Sequence, residues 1–334
     1  MPQPDLALAL EQDDLTATCD AIASVQLPDG SIPWYHGGRM DPWNHVEAAM
    51  ALDVGGLHQE SERAYAWLMR NQRPDGSWHA YYRGGEVIDS TLDSNVTAYL
   101  ATGVWLNYLV THDRRFLLRL WPAVQGAMNF VLGLQMPSGA VRWARNVRGR
   151  PTRKGLVAGA SSVHLSLKSA ARIAAALGHD HRGYDAAAMR LALAIRKRPD
   201  QFLDKSRWAM DWYYPVLGGA LRGAKARRRL ETHWTDFVQL GRGVRCVVHR
   251  PWVTAAETCE LAIALVTLGE TVQARQLFDW AQHLRGDDAA YWMGANYKSG
   301  DFYPPERPSW SSAAVVLAAD ALAGGPTVRL FSAH

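Results

Sequence analysis

The sequence predicts an all-α protein, a single (α/α)6 barrel in which six outer and six inner helices alternate along the chain. Two observations predict it, namely a repeated turn motif and an alternation of polar with apolar helical stretches. Of the 334 residues, 48% are hydrophobic and 20% are charged, which is typical of a globular protein. No linker-like composition divides the chain, so we expect one catalytic domain over residues 1–334.

The repeated turn motif occurs at residues 26–34, 72–78 and 135–143. Each copy contains Gln, then Pro-Asp-Gly or Pro-Ser-Gly, then Trp, and residues 282–292 form a weaker fourth copy. Proline suits the first corner of a turn, and glycine readily adopts positive φ. Each copy follows an amphipathic stretch and leads into another helix, so the motif marks a repeated helical pair.

Helical periodicity divides the rest of the chain into two sets of stretches. A helix that is apolar over most of its surface is packed over most of it, so the two sets predict two concentric rings. The predicted inner helices are 42–52, 94–109, 161–177, 212–221, 254–268 and 309–322. The predicted outer helices are 14–25, 59–69, 115–134, 184–198, 224–240 and 271–284. Short β-hairpin decorations of the mouth are predicted at 78–82, 244–248 and 290–297.

Cysteine usage and apolar run lengths indicate the compartment. The three cysteines are Cys19, Cys246 and Cys259, an odd and scattered set that argues against a disulfide framework. Residues 1–12 lack the pattern of a secretory signal, and no apolar run is long enough to span a bilayer. We therefore expect a cytoplasmic protein with no membrane partner.

The charge pattern raises the question of nucleic-acid binding. The net charge is +4, and basic residues concentrate at 142–154 and 222–229. No helix-turn-helix, finger or RNP pattern accompanies them, so a solvated surface is expected rather than a nucleic-acid site. Zinc-ligand spacings, nucleotide-binding glycine loops and Gly-x-Ser-x-Gly elbows are also missing, so we expect no metal and no cofactor. The sequence does not indicate an oligomeric state.

Capping residues at the predicted inner helix starts place those starts on one face, where carboxylates lie among aromatic residues. Sugar rings stack on Trp and Tyr while carboxylates bind their hydroxyls, and glycosidic cleavage needs two carboxyl groups across the bond. The pattern therefore predicts a cleft for a polysaccharide or oligosaccharide. Asp41 and Glu257 are two of the candidate carboxylates of this cleft. The candidate substrate-binding residues are Trp34, Tyr35, His36, Trp43, His45, Glu47, Asp93, Asp211, Trp212, Tyr213, Trp252, Trp292, Glu306 and Trp310.

Each candidate also has a purely structural interpretation. Asp41 before Pro42 is a good helix cap, and residues 254–257 match a capping box in which Glu257 bonds back to the cap N–H. Asp93 and Asp211 are also candidate caps, His45 and Glu47 fit a hydrogen-bonded core, and Glu306 fits an exposed loop. Cys259 fits an inert buried thiol.

Two partial resemblances concern the scaffold. The repeated turns resemble those of triterpene cyclases and protein prenyltransferases, which are also α/α toroids, but the acidic and metal-binding motifs of those enzymes are missing here. Residues 303–306, followed by the Ser-Trp sequence that begins at Ser309, resemble the end of glucoamylase-type (α/α)6 glycosidases.

A third resemblance extends over nearly the whole chain. Residues 32–35, 40–49, 210–219 and 252–257 are similar to the mycobacterial methylmannose polysaccharide hydrolases and their actinobacterial relatives. This resemblance implies an endo-acting α-(1→4)-mannosidase on an intracellular, partly O-methylated mannan. It also implies that Asp41 and Glu257 are the catalytic pair.

The resulting hypothesis is metal-independent hydrolysis with inversion, in which one carboxyl protonates the leaving oxygen and the other activates water. The position of Glu257 between Trp252 and an apolar helix favours it as the acid. Two alternatives stay open from the sequence. One is a noncatalytic polysaccharide- or lipid-binding module, and the other is a terpenoid cyclase or prenyltransferase-like enzyme.

Overall fold

The computed structural model describes residues 12–332. Six more polar helices are α1 (Gln12–Ser24), α3 (His58–Asn71), α6 (Arg114–Gly133), α8 (Arg182–Lys197), α10 (Gly223–Thr232) and α13 (Thr271–Ala281). Between them lie α2 (Pro42–Val54), α4 (Ser94–Ala98), α5 (Leu100–Thr111), α7 (Val157–Leu177), α9 (Ala209–Leu217), α12 (Ala255–Thr267) and α14 (Ser309–Leu322). Two short helices, α11 (Trp234–Phe237) and α15 (Pro326–Ser332), complete the α-helices of the described residues, which also contain 3-10 helices at Pro199–Gln201 and Gln282–Leu284.

The more apolar helices contact one another in a closed order. Helix α2 packs against α5, α5 against α7, α7 against α9, α9 against α12, α12 against α14, and α14 against α2. Each of the more polar helices packs against at least one member of this ring, and their buried side chains join one continuous hydrophobic core. The fold is therefore helix-rich, and the apolar surface of the ring helices is covered by their neighbours.

The repeated turn motif has one structural function in its three strict copies. The side-chain amide of Gln72 donates to the carbonyl of Gly76 in its own turn (3.0 Å) and to the carbonyl of Ala123 in the next polar helix (2.8 Å). Gln26 and Gln135 make the equivalent pairs of bonds. Gly76 has φ +82°, and a Cβ there would lie 2.1 Å from the carbonyl oxygen of Gly126. The motif thus fastens each turn to the helix beside it.

The weaker fourth copy is built differently. Gln282, the C-cap residue of α13, donates to the Phe278 carbonyl one turn earlier, while its side-chain oxygen accepts from the Tyr291 hydroxyl (2.6 Å). Ala289 has positive φ in this copy, and its carbonyl accepts a bond from Thr18 near the other end of the chain. This turn therefore connects the last and first helical pairs.

Small antiparallel sheets lie between the helices. Strands β1 (Tyr81–Arg83) and β2 (Glu86–Asp89) form a hairpin, and β3 (Leu92–Asp93) pairs with β4 (Ala144–Arg145). The four-stranded sheet has the order β5 (Val238–Gln239), β6 (Gly243–Arg245), β7 (Trp252–Thr254) and β8 (Gly294–Asn296). Each predicted strand region overlaps an observed strand. Since β3 runs into α4 and β7 into α12, the sheets orient two ring helices.

Several predicted helix bounds are wrong. The stretch 94–109 is two helices that meet at Tyr99, and the stretch 224–240 turns into α11 and β5 after Thr232 because residues 238–239 pair with β6. Helix α7 begins four residues before Ser161, and α9 begins three residues before Trp212. The last two errors arose because polar residues in the first turn resemble caps.

Three features of the described residues concern membranes, metal ions and thiols. No single helix of the described residues is long and apolar enough to cross a bilayer. Helices α14 and α15 reach that length and apolarity only as a pair, which is bent by 89°. Within the same residues, no group of three His, Cys, Asp or Glu side chains is arranged to hold a metal ion. Cys19, Cys246 and Cys259 are all free and buried.

Candidate active site

The starts of the ring helices surround a cavity of about 460 Å³. Its walls bring together several of the predicted residues, namely Trp34, Asp41, Trp43, Glu47, Asp93, Asp211, Glu257 and Trp310. They come from positions as distant in sequence as 34 and 310, so the closed order of helices is what assembles them. The prediction that the helix starts share one face is confirmed for these residues.

Asp41 is both a helix cap and a cavity carboxyl. Its Oδ1 accepts from the backbone N–H of Asn44 (2.9 Å), which caps α2. Its Oδ2 accepts from Trp34 Nε1 (2.9 Å) and from the Asn44 side chain (2.8 Å). Asp41 is only 4% exposed, and this burial raises its pKa while the N–H donors oppose the rise. The capping interpretation and the cavity position therefore hold together.

Glu257 lies in the first turn of α12 and does not form the predicted capping box. The N-cap residue Thr254 makes no side-chain capping bond; its hydroxyl donates to Glu257 Oε2 instead. The backbone of Thr254 pairs with β8 at Gly294, so this helix start is held by the sheet. Glu257 is 7% exposed and lines the cavity. Its carboxyl thus has no capping duty.

Two further glutamates line the cavity. Burial raises the pKa of Glu47 well above its ordinary value, and the neighbouring carboxyls of Glu260, Asp41 and Glu257 add to the rise. Burial also raises the pKa of Glu260 to about 8, against the hydroxyls of Tyr213 and Tyr214, which donate to it. Four carboxyl groups therefore influence one another in one buried space.

Asp93 and Asp211 cap helices at the cavity wall. Asp93 Oδ1 accepts from the backbone N–H groups of Asn95 (2.7 Å) and Val96 (3.1 Å) at the start of α4. Asp211 does not cap its own helix as predicted; its Oδ1 accepts from Ala158 at the start of α7 (3.2 Å). Burial raises the pKa of each carboxyl to about 6.

Aromatic rings form much of the remaining wall. Trp34 meets Trp310 edge to face with ring centroids 5.5 Å apart, and the guanidinium of Arg39 lies 4.0 Å from the Trp34 ring centroid. Trp43 meets both Tyr99 and Tyr214 edge to face at 5.9 Å. Such surfaces bind the apolar faces of sugar rings, while the carboxyls between them bind hydroxyls.

Comparison with known proteins assigns the chain to a family. The chain is 46% identical over 319 residues to the MMP endo-(1,4)-3-O-methyl-α-D-mannosidase of Mycolicibacterium hassiacum, which is 96% of this chain and 89% of that enzyme. The chain belongs to the family of that mannosidase. The resemblance that the sequence indicated is therefore confirmed, and the protein is a member of a glycoside hydrolase family.

Solved structures agree on the fold at much lower sequence identity. A glycosidase variant superposes with a TM-score of 0.77 at 14% identity, over 95% of this chain and 99% of its own. A D-mannose isomerase superposes with a TM-score of 0.76 at 10% identity, over 97% and 100%. These likenesses show the fold alone, because one fold supports several reactions. No protein-family model matches the chain.

Three predicted residues are buried away from the lining of the described cavity. His45 accepts from the Ile32 N–H at Nδ1 (3.0 Å), and its Nε2 lies 3.0 Å from the Ala64 carbonyl. Its complete burial lowers its pKa to about 4. Trp212 donates to the Arg229 carbonyl (3.0 Å), and Tyr213 donates to Glu260. These side chains support the cavity from behind.

The other predicted residues lie around loops beside the cavity. Tyr35 donates to Glu306 (3.2 Å), and His36 is exposed. Trp252 donates to the Tyr303 carbonyl, and Trp292 stacks on Phe302 with centroids 4.7 Å apart. None of Tyr35, His36, Trp252, Trp292 and Glu306 lines the described cavity, so their substrate contacts stay predictions.

Sequence reasoning missed some lining residues. Glu260 was hidden inside an apolar helix, although a glutamate three residues after Glu257 among apolar neighbours is itself a signal, because an unpartnered buried charge is costly. Tyr81, Trp143, Lys205 and Trp208 reach the cavity from loops and a hairpin. Their positions depend on strand pairing that the local pattern does not specify.

Proposed function

We propose that this chain hydrolyses internal α-(1→4) bonds of a 3-O-methylated mannose polysaccharide. The observation that carries the proposal is one cavity that holds Asp41 and Glu257, from the starts of two different ring helices, between aromatic walls. Hydrolysis of a glycosidic bond needs a proton donor and a water-activating carboxylate on opposite sides of it. The activity of the 46% identical relative supports the linkage and the methylated mannose.

Glu257 acts as the acid and Asp41 as the base. The N–H groups of Trp34 and Asn44 can only donate, so they stabilise an ionised Asp41 carboxylate even though burial opposes it. An ionised Asp41 can accept a proton from water. Glu257 accepts a bond from the Thr254 hydroxyl at Oε2, and its carboxyl lines the cavity where the leaving group would lie.

Two coarser findings support the wider assignment. The closed order of ring helices, each covered by more polar partners, supports an (α/α)6 barrel as the architecture. Three free, buried cysteines are compatible with a reducing compartment and support action in the cytoplasm. A polysaccharide is the partner that the aromatic and carboxylate lining fits.

The test is mass spectrometry of products from α-(1→4)-mannooligosaccharides that carry or lack 3-O-methyl groups. We expect the wild-type protein to convert methylated oligomers into intermediate-sized fragments, as internal cleavage requires. Glu257→Gln and Asp41→Asn should bind the same oligomers in calorimetry and leave them intact. Intact oligomers with the wild-type protein would contradict the proposal and favour a binding module.

A second experiment separates the acid from the base. On a dinitrophenyl glycoside of a 3-O-methylated mannobiose, the leaving group departs without protonation. Glu257→Gln should therefore regain most of its rate on this substrate, whereas Asp41→Asn should stay inactive because water is not activated. The opposite pattern would reverse the two roles.

A further inference from the structure

The cavity contains a second pair of carboxyls deeper than the proposed catalytic pair. Glu47 follows Asp41 by six residues along α2, and Glu260 follows Glu257 by three along α12. At a rise of 1.5 Å per residue, these steps are about 9 Å and about 4.5 Å into the ring from its open face. Hydrolysis uses only the upper pair, so the lower pair has no assigned role.

The two deep carboxyls have unequal support from the protein. Both oxygens of Glu260 accept phenol hydroxyls, one from Tyr213 and one from Tyr214 (2.6 Å for the latter). Glu47 is only 6% exposed, yet within residues 12–332 no group donates a hydrogen bond to its carboxyl. Its carboxyl faces the cavity without a protein donor, so it is available to a polar group of a ligand there.

We propose that Glu260, together with Glu47, binds a free hydroxyl of the sugar unit at the deep end of the cavity. Glu260 is then a specificity-determining residue, because it defines one sugar oxygen that cannot carry a methyl group. This inference rests on the proposed function.

The charges around the pair explain why a hydroxyl fits. The titratable groups that interact with Glu260 are Glu47 from α2, the phenols of Tyr99, Tyr213 and Tyr214, and Cys246, Glu257 and Cys259. None of these is a cation, and Lys205, a cation on the cavity wall, is an exposed loop residue. Two buried carboxyls without a cation between them do not both ionise, so the pair retains one proton at neutral pH. The raised pKa values of both glutamates agree with this state.

A pair with one proton discriminates a hydroxyl from a methyl ether. A hydroxyl can accept from the protonated carboxyl and donate to the ionised one, whereas an ether oxygen can only accept. A methyl group there would also face a carboxylate that has lost its water. In a 3-O-methylated α-(1→4) chain the hydroxyls at positions 2 and 6 are the free ones, so the pair binds one of these.

The test combines the Glu260→Gln substitution with the removal of single hydroxyls from the substrate, in the manner of a double-mutant cycle. The probes are 3-O-methylated α-(1→4)-mannooligosaccharides with hydrogen in place of one hydroxyl, at position 2 or 6 of each unit in turn. In the wild type, one of these probes should lose about 100-fold in kcat/KM, since it leaves buried polar groups unpaired. In Glu260→Gln, the loss of kcat/KM for that probe should fall below about tenfold. Each of the other probes should show the same loss of kcat/KM in both proteins.

Two further variants serve as the control and the alternative for this experiment. Asp53 is a buried carboxyl bonded by Asn107 outside the cavity (3.0 Å), so Asp53→Asn should change thermal stability without changing the hydroxyl penalty. Glu47→Gln repeats the cycle from the partner side if Glu260→Gln does not fold. Equal penalties in variant and wild type at every position would overturn the inference alone. Absence of any turnover by the wild type would overturn the proposed function as well.

Discussion

The starts of α2 and α12 deliver the two proposed catalytic carboxyls in different ways. At α2, Asp41 caps the helix and accepts two further bonds, so structure and function share one side chain. At α12, strand β7 holds the helix start, and the Glu257 carboxyl accepts hydrogen bonds from the Thr254 hydroxyl and the Cys246 side chain. The proposed acid and base therefore carry different structural duties, and substitutions should separate catalytic effects from effects on stability.

The largest expected effect is at the start of α12. Glu257→Gln should reduce kcat/KM by roughly 1,000-fold, as expected when a general acid is removed. Its melting temperature should be nearly unchanged, because the glutamine oxygen can still accept from the Thr254 hydroxyl and the side chain caps no helix. Turnover of methylated mannooligosaccharides and a thermal melt on the same sample measure both. A large fall in stability would show that Glu257 carries a structural duty after all.

The repeated turn provides a purely structural reference for both helix starts. Gly76→Ala should destabilise the fold by about 3 kcal/mol, because a left-handed alanine and a clash with the Gly126 carbonyl each cost free energy. The matched control is Gly183→Ala in α8, where an added Cβ meets nothing within 4 Å and which we expect to be neutral or stabilising. Denaturant unfolding compares the two. Equal stabilities would contradict the role assigned to the motif.

At the start of α2, Asp41→Asn should lower both activity and stability. The asparagine oxygen can still accept from the Asn44 N–H, but its NH2 group would face the Trp34 N–H. A buried donor left without an acceptor costs about 1–3 kcal/mol. Chemical unfolding of Asp41→Asn and Glu257→Gln compares the two helix starts directly. Equal stabilities of the two variants would contradict the structural duty assigned to Asp41.

The smallest expected effect on stability is at the start of α4, where Asp93 is the N-cap residue. Burial raises the pKa of Asp93 to about 6, above its ordinary value near 3.8. Between these two pH values the Asp93 carboxyl is protonated in the folded state and ionised in the unfolded state. Stability is therefore lost as pH rises through this window, and it stays lower above pH 6. Asn caps helices about as well as Asp. Asp93→Asn should thus raise the melting temperature at pH 8 by a few degrees and have less effect at pH 4, whereas an effect independent of pH would contradict this.

Much of the fold follows from local sequence patterns. Helical periodicity gave the polar and apolar helices, and the Gln–turn–Gly–Trp pattern located the turns, because both depend on residues close in sequence. The break at Tyr99 and the strand at residues 238–239 were not predicted, since both depend on contacts with distant segments.

The cavity shows the same limit. Asp41 and Glu257 were indicated by their positions at helix starts, and both reach the cavity. His45 lies on the same helix as Asp41 but faces the Ile32 backbone, which periodicity alone does not reveal. Glu260 was missed because its tyrosine partners come from a helix more than forty residues away.

The most direct test of the acid–base pair is the configuration of the first product, followed by proton NMR during hydrolysis of a 3-O-methylated α-(1→4)-mannooligosaccharide. If carboxyls from the starts of α2 and α12 act as base and acid around a water molecule, the new reducing end appears first as the β-anomer and then equilibrates. If the α-anomer appears first, a carboxyl has attacked the sugar carbon itself, and the proposed division of roles between Asp41 and Glu257 is contradicted.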